Sequence, residues 1–570
     1  MLDAELIRRV RAWQATDPDP ETRAELDALV AAGDEDGLRD RFDHRLEFGT
    51  AGLRAEMGAG PNRMNRVVVR RAATGLMRYL GAGRKVVVGY DARRKSDEFA
   101  LETARAVAAA GGVAVLFPRP VPTPLVAFAV RLLGADAGVM CTASHNPPAD
   151  NGFKVYLGDG AQIVPPVDRQ IAAAIDELDE IDGGGTPVLL EVPGGDGEED
   201  SRGIRQAGSD VVDAYVERAV SRLGGGPRNV SIVYTPLHGV GLDVTERVFA
   251  AAGFEPLHVV AAQAAPDPAF PTTPYPNPEE DGVLDLAYGQ AEEVGADLVL
   301  AHDPDADRLG VAVRGRDGRW RRLTGDQVGA LLADHRLRRT DGVAGERLVV
   351  DTFVSSGLVA RLAAAHGVHH VETLTGFKWL MRPVIAHPEW ELVLAYEEAL
   401  GYAVDGYLRD KDGIAAALAF AELAAELRAA GLTVWDRLEQ LARRHGLFAT
   451  ATWSFRFTGY AARSRIDALM AALRSSPPAR LGHHEVRRVE DLLAGGRLPP
   501  VDAVVLHLGG DARLIARPSG TEPKLKVYGR VCRAVGDAPS SLARAEADAA
   551  RELESLHGAV SSYVDRTAHG

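Results

Sequence analysis

Cysteine is nearly absent: Cys141 and Cys532 are the only two in 570 residues. Two thiols cannot build a disulfide framework or a thiolate zinc site, and such scarcity suits a reducing compartment. Long apolar runs are missing as well. No stretch approaches the ~20 apolar residues that a membrane span needs. The first segment, MLDAELIRRVRAWQ, reads as an amphipathic helix without the apolar core of a signal peptide. The expectation is a cytoplasmic chain with no membrane partner. Basic residues are outnumbered, and the formal net charge of −15 argues against a nucleic-acid surface. Small phosphorylated ligands remain open, since they need only a few local cations. A G-x-x-x-x-G-K-[ST] stretch is also lacking, which disfavours a simple P-loop kinase.

What is present is an ordinary globular composition, 46% hydrophobic and 25% charged, in a chain too long for one core. Apolar strands alternate with helices, the pattern of a mainly parallel α/β sheet. A first round has strands at 85–90, 113–117 and 138–141 and helices at 96–110 and 124–133. An acidic, glycine-rich stretch at 182–208 then reads as a boundary or surface insertion. A second round has strands at 230–234, 257–260 and 297–301 and helices at 242–252 and 283–294. A third has strands at 347–352 and 392–396 and helices at 326–337, 358–365, 377–385 and 414–430. The remainder mixes strand-like runs at 449–457, 503–508 and 513–516 with helices at 464–473 and 539–554. The fold class is therefore α/β: three similar mixed α/β domains (1–207 with an N-terminal helical extension, 208–324, 325–447) and a smaller C-terminal α+β domain (448–570).

Each round ends a strand in polar residues, where open α/β sheets bind ligands. The first delivers Thr142-Ala143-Ser144-His145-Asn146-Pro147-Pro148, a hydroxyl beside an imidazole on a loop stiffened by proline. His145 could shuttle a proton or only orient the loop. Arg54, at the end of the glycine-rich EFGTAGLR stretch, and Lys154 could neutralise a transferring phosphoryl group. The second delivers His302-Asp303-Pro304-Asp305-Ala306-Asp307-Arg308, whose three alternating carboxylates can converge on a hard divalent cation. An EF-hand fails here, because counting from Asp303 puts Arg308 where glycine is needed and Arg314 where glutamate is needed. The third delivers Glu397-Glu398-Ala399-Leu400-Gly401-Tyr402, whose paired carboxylates can accept hydrogen bonds from vicinal sugar hydroxyls. Lys378, in TGFK, could add a cation to that pocket. In the last region Arg517, Ser519, Gly520 and Thr521 combine a guanidinium, hydroxyls and a glycine, a good phosphate cradle.

Together these stretches resemble the α-D-phosphohexomutase superfamily. TASHNP (142–147) is similar to its phosphoserine loop, DPDADR (303–308) to its metal loop, EEALGY (397–402) to its sugar loop, and RPSGTEP (517–523) to its phosphate loop, in the right order. EFGTAGLRAEMGAGPNRMN (47–65), TGFKW (375–379) and DKDG (410–413) look most like the phosphoglucomutase/phosphopentomutase-like branch, in which many bacterial members are labelled phosphomannomutase. EEALGY departs from the E-x-S-G-H form of dual phosphomannomutase/phosphoglucomutases, so no base role carries over to its last position.

The resemblance implies four domains around a central cleft and reversible phosphoryl transfer between C1 and C6 of a hexose, or C1 and C5 of a pentose. Ser144 would rest as a phosphoserine, and a sugar bisphosphate of the glucose 1,6-bisphosphate type would serve as activator and intermediate. Mg²⁺ would be held by Asp303, Asp305, Asp307 and a Ser144 phosphate oxygen, with Arg54, Lys154 and Arg308 adding positive charge. The general base would be His145 or Lys154. Thr50, Arg54, Lys378, Glu397, Glu398, Gly401, Tyr402, Arg517, Ser519, Gly520, Thr521 and Lys526 would bind the sugar phosphate. A sugar-bisphosphate synthase would use the same loops. A metal-dependent phosphatase would not need Ser144, and a non-catalytic sensor would not need the loops intact.

Overall fold

The structure is a computed structural model and describes residues 2–49, 52–180, 203–339, 343–458, 462–519 and 524–569. It divides into two compact units, Met1–Gly325 with Phe377–Ala430, and Asp326–Gly376 with Gly431–Gly570.

In the first unit, helices Ala4–Thr16, Pro20–Ala32 and Glu35–Phe42 pack Leu6, Val10, Trp13, Leu26, Leu38 and Phe42 into a small core shared with Ala59 and Val67. Asp3, Asp19 and Asp34 cap them, each accepting a backbone N–H of the first turn. A six-stranded sheet follows, in the order Leu53–Glu56, Asp150–Leu157, Ala137–Cys141, Lys85–Tyr90, Val113–Leu116, Ile204–Gln206. Its last four strands are parallel. Ala137–Cys141 is buried at every position, as a parallel strand covered on both faces must be. Ala137, Val139 and Cys141 join the core with Val86 and Val88. Gly138 lies so close to helix Thr123–Leu132 that a Cβ would come 2.5 Å from Val130.

A five-stranded sheet in the same unit has the order Trp320–Arg322, Gly310–Arg314, Leu298–Ala301, Ile232–Thr235, His258–Val259. The strand Leu298–Ala301 is fully buried between a parallel and an antiparallel neighbour. The antiparallel pair Glu391–Glu397 and Gly401–Ala403 and the buried helix Gly413–Ala429 complete the unit.

The second unit contains the parallel pair Arg347–Thr352 and His369–Thr373. It also contains a six-stranded sheet ordered Leu447–Arg456, Lys524–Arg533, Arg513–Pro518, Val504–Leu508, His484–Asp491, Arg480–Leu481, antiparallel throughout. Helices Ala462–Ser475 and Ser541–His569 cover its core face through Ile466, Leu469, Leu473, Leu556 and Val560. Mixed α/β sheets followed by an antiparallel sheet with helices match the expected fold class. Most of the acidic stretch at 182–208 lies outside the described residues. Among the described residues, no helix is long and apolar enough to cross a membrane.

Candidate active site

Strand Ala137–Cys141 ends at the loop that carries Ser144. The loop turns sharply because Ser144 itself has φ 55°, a left-handed conformation rarely adopted by a residue with a Cβ. Two buried groups hold it. The Thr142 hydroxyl donates to Asp91 (2.5 Å) and accepts from the Ser144 N–H (2.8 Å). The buried Arg93 guanidinium donates to the carbonyl oxygens of Ser144 (2.5 Å), Asn146, Pro147 (2.7 Å) and Asp150 (3.1 Å). The Ser144 hydroxyl donates to Asp303 Oδ2 at 2.7 Å and lies 3.2 Å from His145 Nδ1. Burial, with the Arg308 and Arg54 charges nearby, holds the His145 imidazole well below its ordinary value, so it is neutral near pH 7. Exposed Arg54 donates to Asn146 Oδ1 (3.2 Å).

Strand Leu298–Ala301 ends at the three aspartates, all buried. One carboxylate oxygen from each lies within 4.8 Å of the others. Lys154, on strand Asp150–Leu157, donates to Asp305 Oδ2 (2.7 Å) and Asp307 Oδ2 (2.9 Å). The Thr123 hydroxyl donates to Asp305 Oδ2 (2.5 Å), and the Arg308 N–H donates to Asp303 Oδ1 (3.0 Å). Burial and the two neighbouring carboxylates push Asp303 far up. Burial also opposes ionisation of Asp305, but the Lys154 ammonium and the Thr123 hydroxyl outweigh it and hold that carboxyl far down. Lys154 in turn is raised: burial is outweighed by Asp305 and Asp307, so its ammonium persists. Asp305 Oδ1 and Asp307 Oδ1 are buried and have no hydrogen-bond partner among the described residues. Orphaned carboxylate oxygens in a buried three-carboxylate cluster fit a hard divalent cation.

The DKDG segment locks this loop. Asp410 accepts from Tyr156 Oη and Gln162 Nε2, both at 2.7 Å, and Lys411 Nζ lies 3.2 Å from Asp307. Asp412 caps helix Gly413–Ala429. A Cβ at Gly413 would come 2.4 Å from the Arg308 carbonyl oxygen, so only glycine admits this approach. The sugar-loop residues meet the same place through a backbone bridge between Arg308 and Gly401. Glu397 is buried at its strand end. Gly401 has no room for a Cβ, which would lie 2.6 Å from Lys411 Cδ and 2.9 Å from Glu397 Oε1. Glu398 is half-buried, and its carbonyl oxygen would meet any Cβ at Gly325. Tyr402 is wholly buried, with its hydroxyl 3.4 Å from the Gly325 carbonyl oxygen, a core placement rather than a ligand-facing one. Lys378 is half-buried in the first turn of helix Phe377–Ala386.

In the second unit Arg517 pairs directly across the sheet with Lys526, which puts two half-buried cations side by side on one face. Arg517 also donates to Thr375 Oγ1 (2.6 Å), and the Ser519 N–H donates to the Lys524 carbonyl oxygen (2.8 Å). Thr50, Gly520 and Thr521 lie outside the described residues.

Sequence reasoning missed Asp91, Arg93, Thr123, Asp410 and Lys411 as parts of the site. Asp91 and Arg93 directly follow strand Lys85–Tyr90, so the strand-end rule that found Ser144 could have found them. Thr123 carries no such signal. A cavity of about 1180 Å³ beneath the N-terminal helices, bordered by Trp13, Phe42 and Phe48, touches neither Ser144 nor the aspartates.

Four family models match the chain in succession. They are described as phosphoglucomutase/phosphomannomutase alpha/beta/alpha domain I (residues 45–182), domain II (213–318), domain III (324–444) and C-terminal domain (476–530). The chain belongs to the phosphoglucomutase/phosphomannomutase family. Among its relatives is a Haemophilus influenzae protein named "Probable phosphomannomutase", 42% identical over 82% of this chain and 92% of its own length. A Mus musculus phosphopentomutase is 34% identical over 99% of this chain and 95% of its own length. The fold of parafusin, a Paramecium phosphoglucomutase solved in an open form, superposes with a TM-score of 0.67 at 18% identity, covering 92% of this chain and 96% of that one.

Proposed function

We propose that this member of the phosphoglucomutase/phosphomannomutase family is a sugar-phosphate mutase that works through a phosphoserine at Ser144. It moves a phosphoryl group between C1 and C6 of a hexose phosphate, or C1 and C5 of a pentose phosphate. The observation that carries the reading is the Ser144 hydroxyl, 2.7 Å from Asp303 at the edge of a buried carboxylate cluster that is itself flanked by Lys154 and Arg308. In the first half-reaction a sugar hydroxyl oxygen bonds to phosphorus while the bond from phosphorus to Ser144 Oγ breaks, giving a sugar bisphosphate. In the second, Ser144 Oγ bonds to the other phosphorus while that phosphorus–sugar oxygen bond breaks, which completes the exchange.

Neutral His145, beside Oγ, takes the sugar hydroxyl proton and returns it on the way back. Lys154, whose charge the aspartates secure, serves electrostatically. Arg54 and Arg308 add charge around the transferring group. A Mg²⁺ held by Asp303, Asp305 and Asp307 would neutralise phosphoryl oxygens. Glu397 and Glu398 accept from ring hydroxyls, and Gly401 lets that loop approach. Arg517, Ser519, Lys526, Thr50, Gly520, Thr521 and Lys378 bind the non-reacting phosphate or the sugar, and that remote binding orients the reacting end. Tyr402 is left out of this set because it is buried. The four-part division 1–207, 208–324, 325–447 and 448–570 belongs to the same proposal, supported by family matches that fall in that order. So does a cytoplasmic location, for which the scarcity of cysteine is the support.

The test is an assay with Mg²⁺ and a trace of sugar bisphosphate on glucose 1-phosphate, mannose 1-phosphate and ribose 1-phosphate, with Ser144→Ala beside the wild type. Isomerisation that vanishes in the variant is the expected result, and the ranking names the sugar. Phosphate release untouched by Ser144→Ala would mean a phosphatase. Accumulation of bisphosphate from a donor, without isomerisation, would mean a synthase.

A further inference from the structure

The second unit holds another cluster of metal-ligating side chains, unrelated to the mutase reading. Strands Arg480–Leu481 and His484–Asp491 form a hairpin whose two-residue turn is Gly482-His483, with Leu481 paired to His484 and Gly482 at φ 58°. The turn lies against helix Ser541–His569: a Cβ on Gly482 would come 3.5 Å from Ser555 Oγ. One turn earlier on that helix is Glu552. His484 is 8% exposed and Glu552 5%, whereas His483 faces solvent. One ligand atom from each of the three lies within 4.8 Å of the others.

His484 Nε2 faces Glu552 Oε1 at 3.0 Å, yet neither atom makes a hydrogen bond among the described residues. Two buried lone-pair atoms at that separation resemble adjacent ligands of a tetrahedral ion, which bonds of ~2.0–2.1 Å place about 3.3 Å apart. The Arg533 guanidinium contacts the other carboxylate oxygen, Oε2, and so fixes the direction in which Oε1 points. The exposed His483 ring, its centroid 4.0 Å from that of His484, leaves the cluster open to solvent for entry.

We infer that His483, His484 and Glu552 bind one Zn²⁺, which ties the hairpin turn to the C-terminal helix. Two imidazoles and one carboxylate suit zinc, in contrast to the all-carboxylate cluster at Asp303, Asp305 and Asp307, which suits Mg²⁺.

The test uses the full-length protein, stripped with chelator and then dialysed against Zn²⁺ in excess Mg²⁺, with metal content measured per chain. The wild type and Asp305→Asn should each retain one zinc, and Glu552→Gln and His484→Ala should retain none. Co²⁺ in place of zinc should give the visible absorption of a four-coordinate site in the wild type and in Asp305→Asn, and not in Glu552→Gln or His484→Ala. If His484→Ala or Glu552→Gln misfolds by circular dichroism, His483→Ala decides, because its side chain is exposed. It should keep the fold and mutase activity and weaken zinc binding at least ~10-fold. Failure of the wild type to retain zinc over Mg²⁺, equal retention by the three cluster variants, or loss of the zinc in Asp305→Asn would each overturn the assignment.

Discussion

Arg93→Lys is expected to slow turnover about a hundredfold while removing no group that meets the sugar phosphate. The native guanidinium spreads its donors over four carbonyl oxygens of the loop 144–150 and packs over the Phe270 ring, 4.9 Å from its centroid. A lysine has a single nitrogen with three protons on a shorter reach, so at least one or two of these bonds must go. Hydrogen bonds from a charged donor contribute about 1.5–3 kcal/mol each, which puts the loss at roughly 1.5–6 kcal/mol. The loop has a conformation to relax into, because Ser144 at φ 55° stores about 1–3 kcal/mol of strain. A hydroxyl misplaced by about 1 Å costs ~10²-fold in rate. Steady-state kinetics should therefore show a fall in kcat with KM little changed, and denaturant unfolding should show the loss of stability. Unchanged turnover in a variant that has lost this stability would refute the idea that Arg93 positions the serine.

Lys154→Met leaves Asp305 buried without its ammonium and Asp307 with Lys411 alone, which should destabilise the fold by about 3–5 kcal/mol, as breaking a buried pair does. Added Mg²⁺ should restore more stability to this variant than to the wild type, and an equal gain in denaturant titrations would count against the cluster as a cation site. Burial lifts the Asp412 carboxyl to about 6, so the folded state favours its neutral form. That contribution is full below the unfolded carboxyl's pKa of ~4 and is lost as pH rises through 6, about 3 kcal/mol in all. Asp412→Asn keeps an acceptor for the Ala415 N–H and the Tyr215 hydroxyl. It should match the wild type near pH 4 and exceed it above pH 6, and a stability difference that does not change with pH would contradict this.

Chemistry at strand ends was legible because two signals coincide there: an apolar run, then polar residues that break it. Ser144, the three aspartates and Glu397 all follow such runs. Thr123 was less visible because it acts across the fold, on Asp305, and carries no local mark. Arg93 at its strand end and Lys411 in DKDG were marked, but the groups they act on, the loop 144–150 and Asp307, lie far off in sequence. Some strands were hidden for packing reasons. His484–Asp491 is mostly charged, and a register shift between Val486 and Arg488 breaks its alternation. Lys524–Arg533 alternates cleanly but places Gly529 where Trp453 fills the space, so one apolar position is blank. The C-terminal helix was expected to stop at 554 and runs to His569, because Leu556, Val560 and Val564 continue its buried stripe past Gly558.

The central claim is that Ser144 carries the phosphoryl group. The most direct test is to incubate the protein with phosphorus-labelled sugar bisphosphate and Mg²⁺, isolate it, and map the label by peptide mass spectrometry. One labelled phosphoryl group per chain is expected, on the peptide containing Ser144, discharged when unlabelled sugar monophosphate is added and absent from Ser144→Ala. Isomerase activity in a protein whose Ser144 never takes up the label would contradict it.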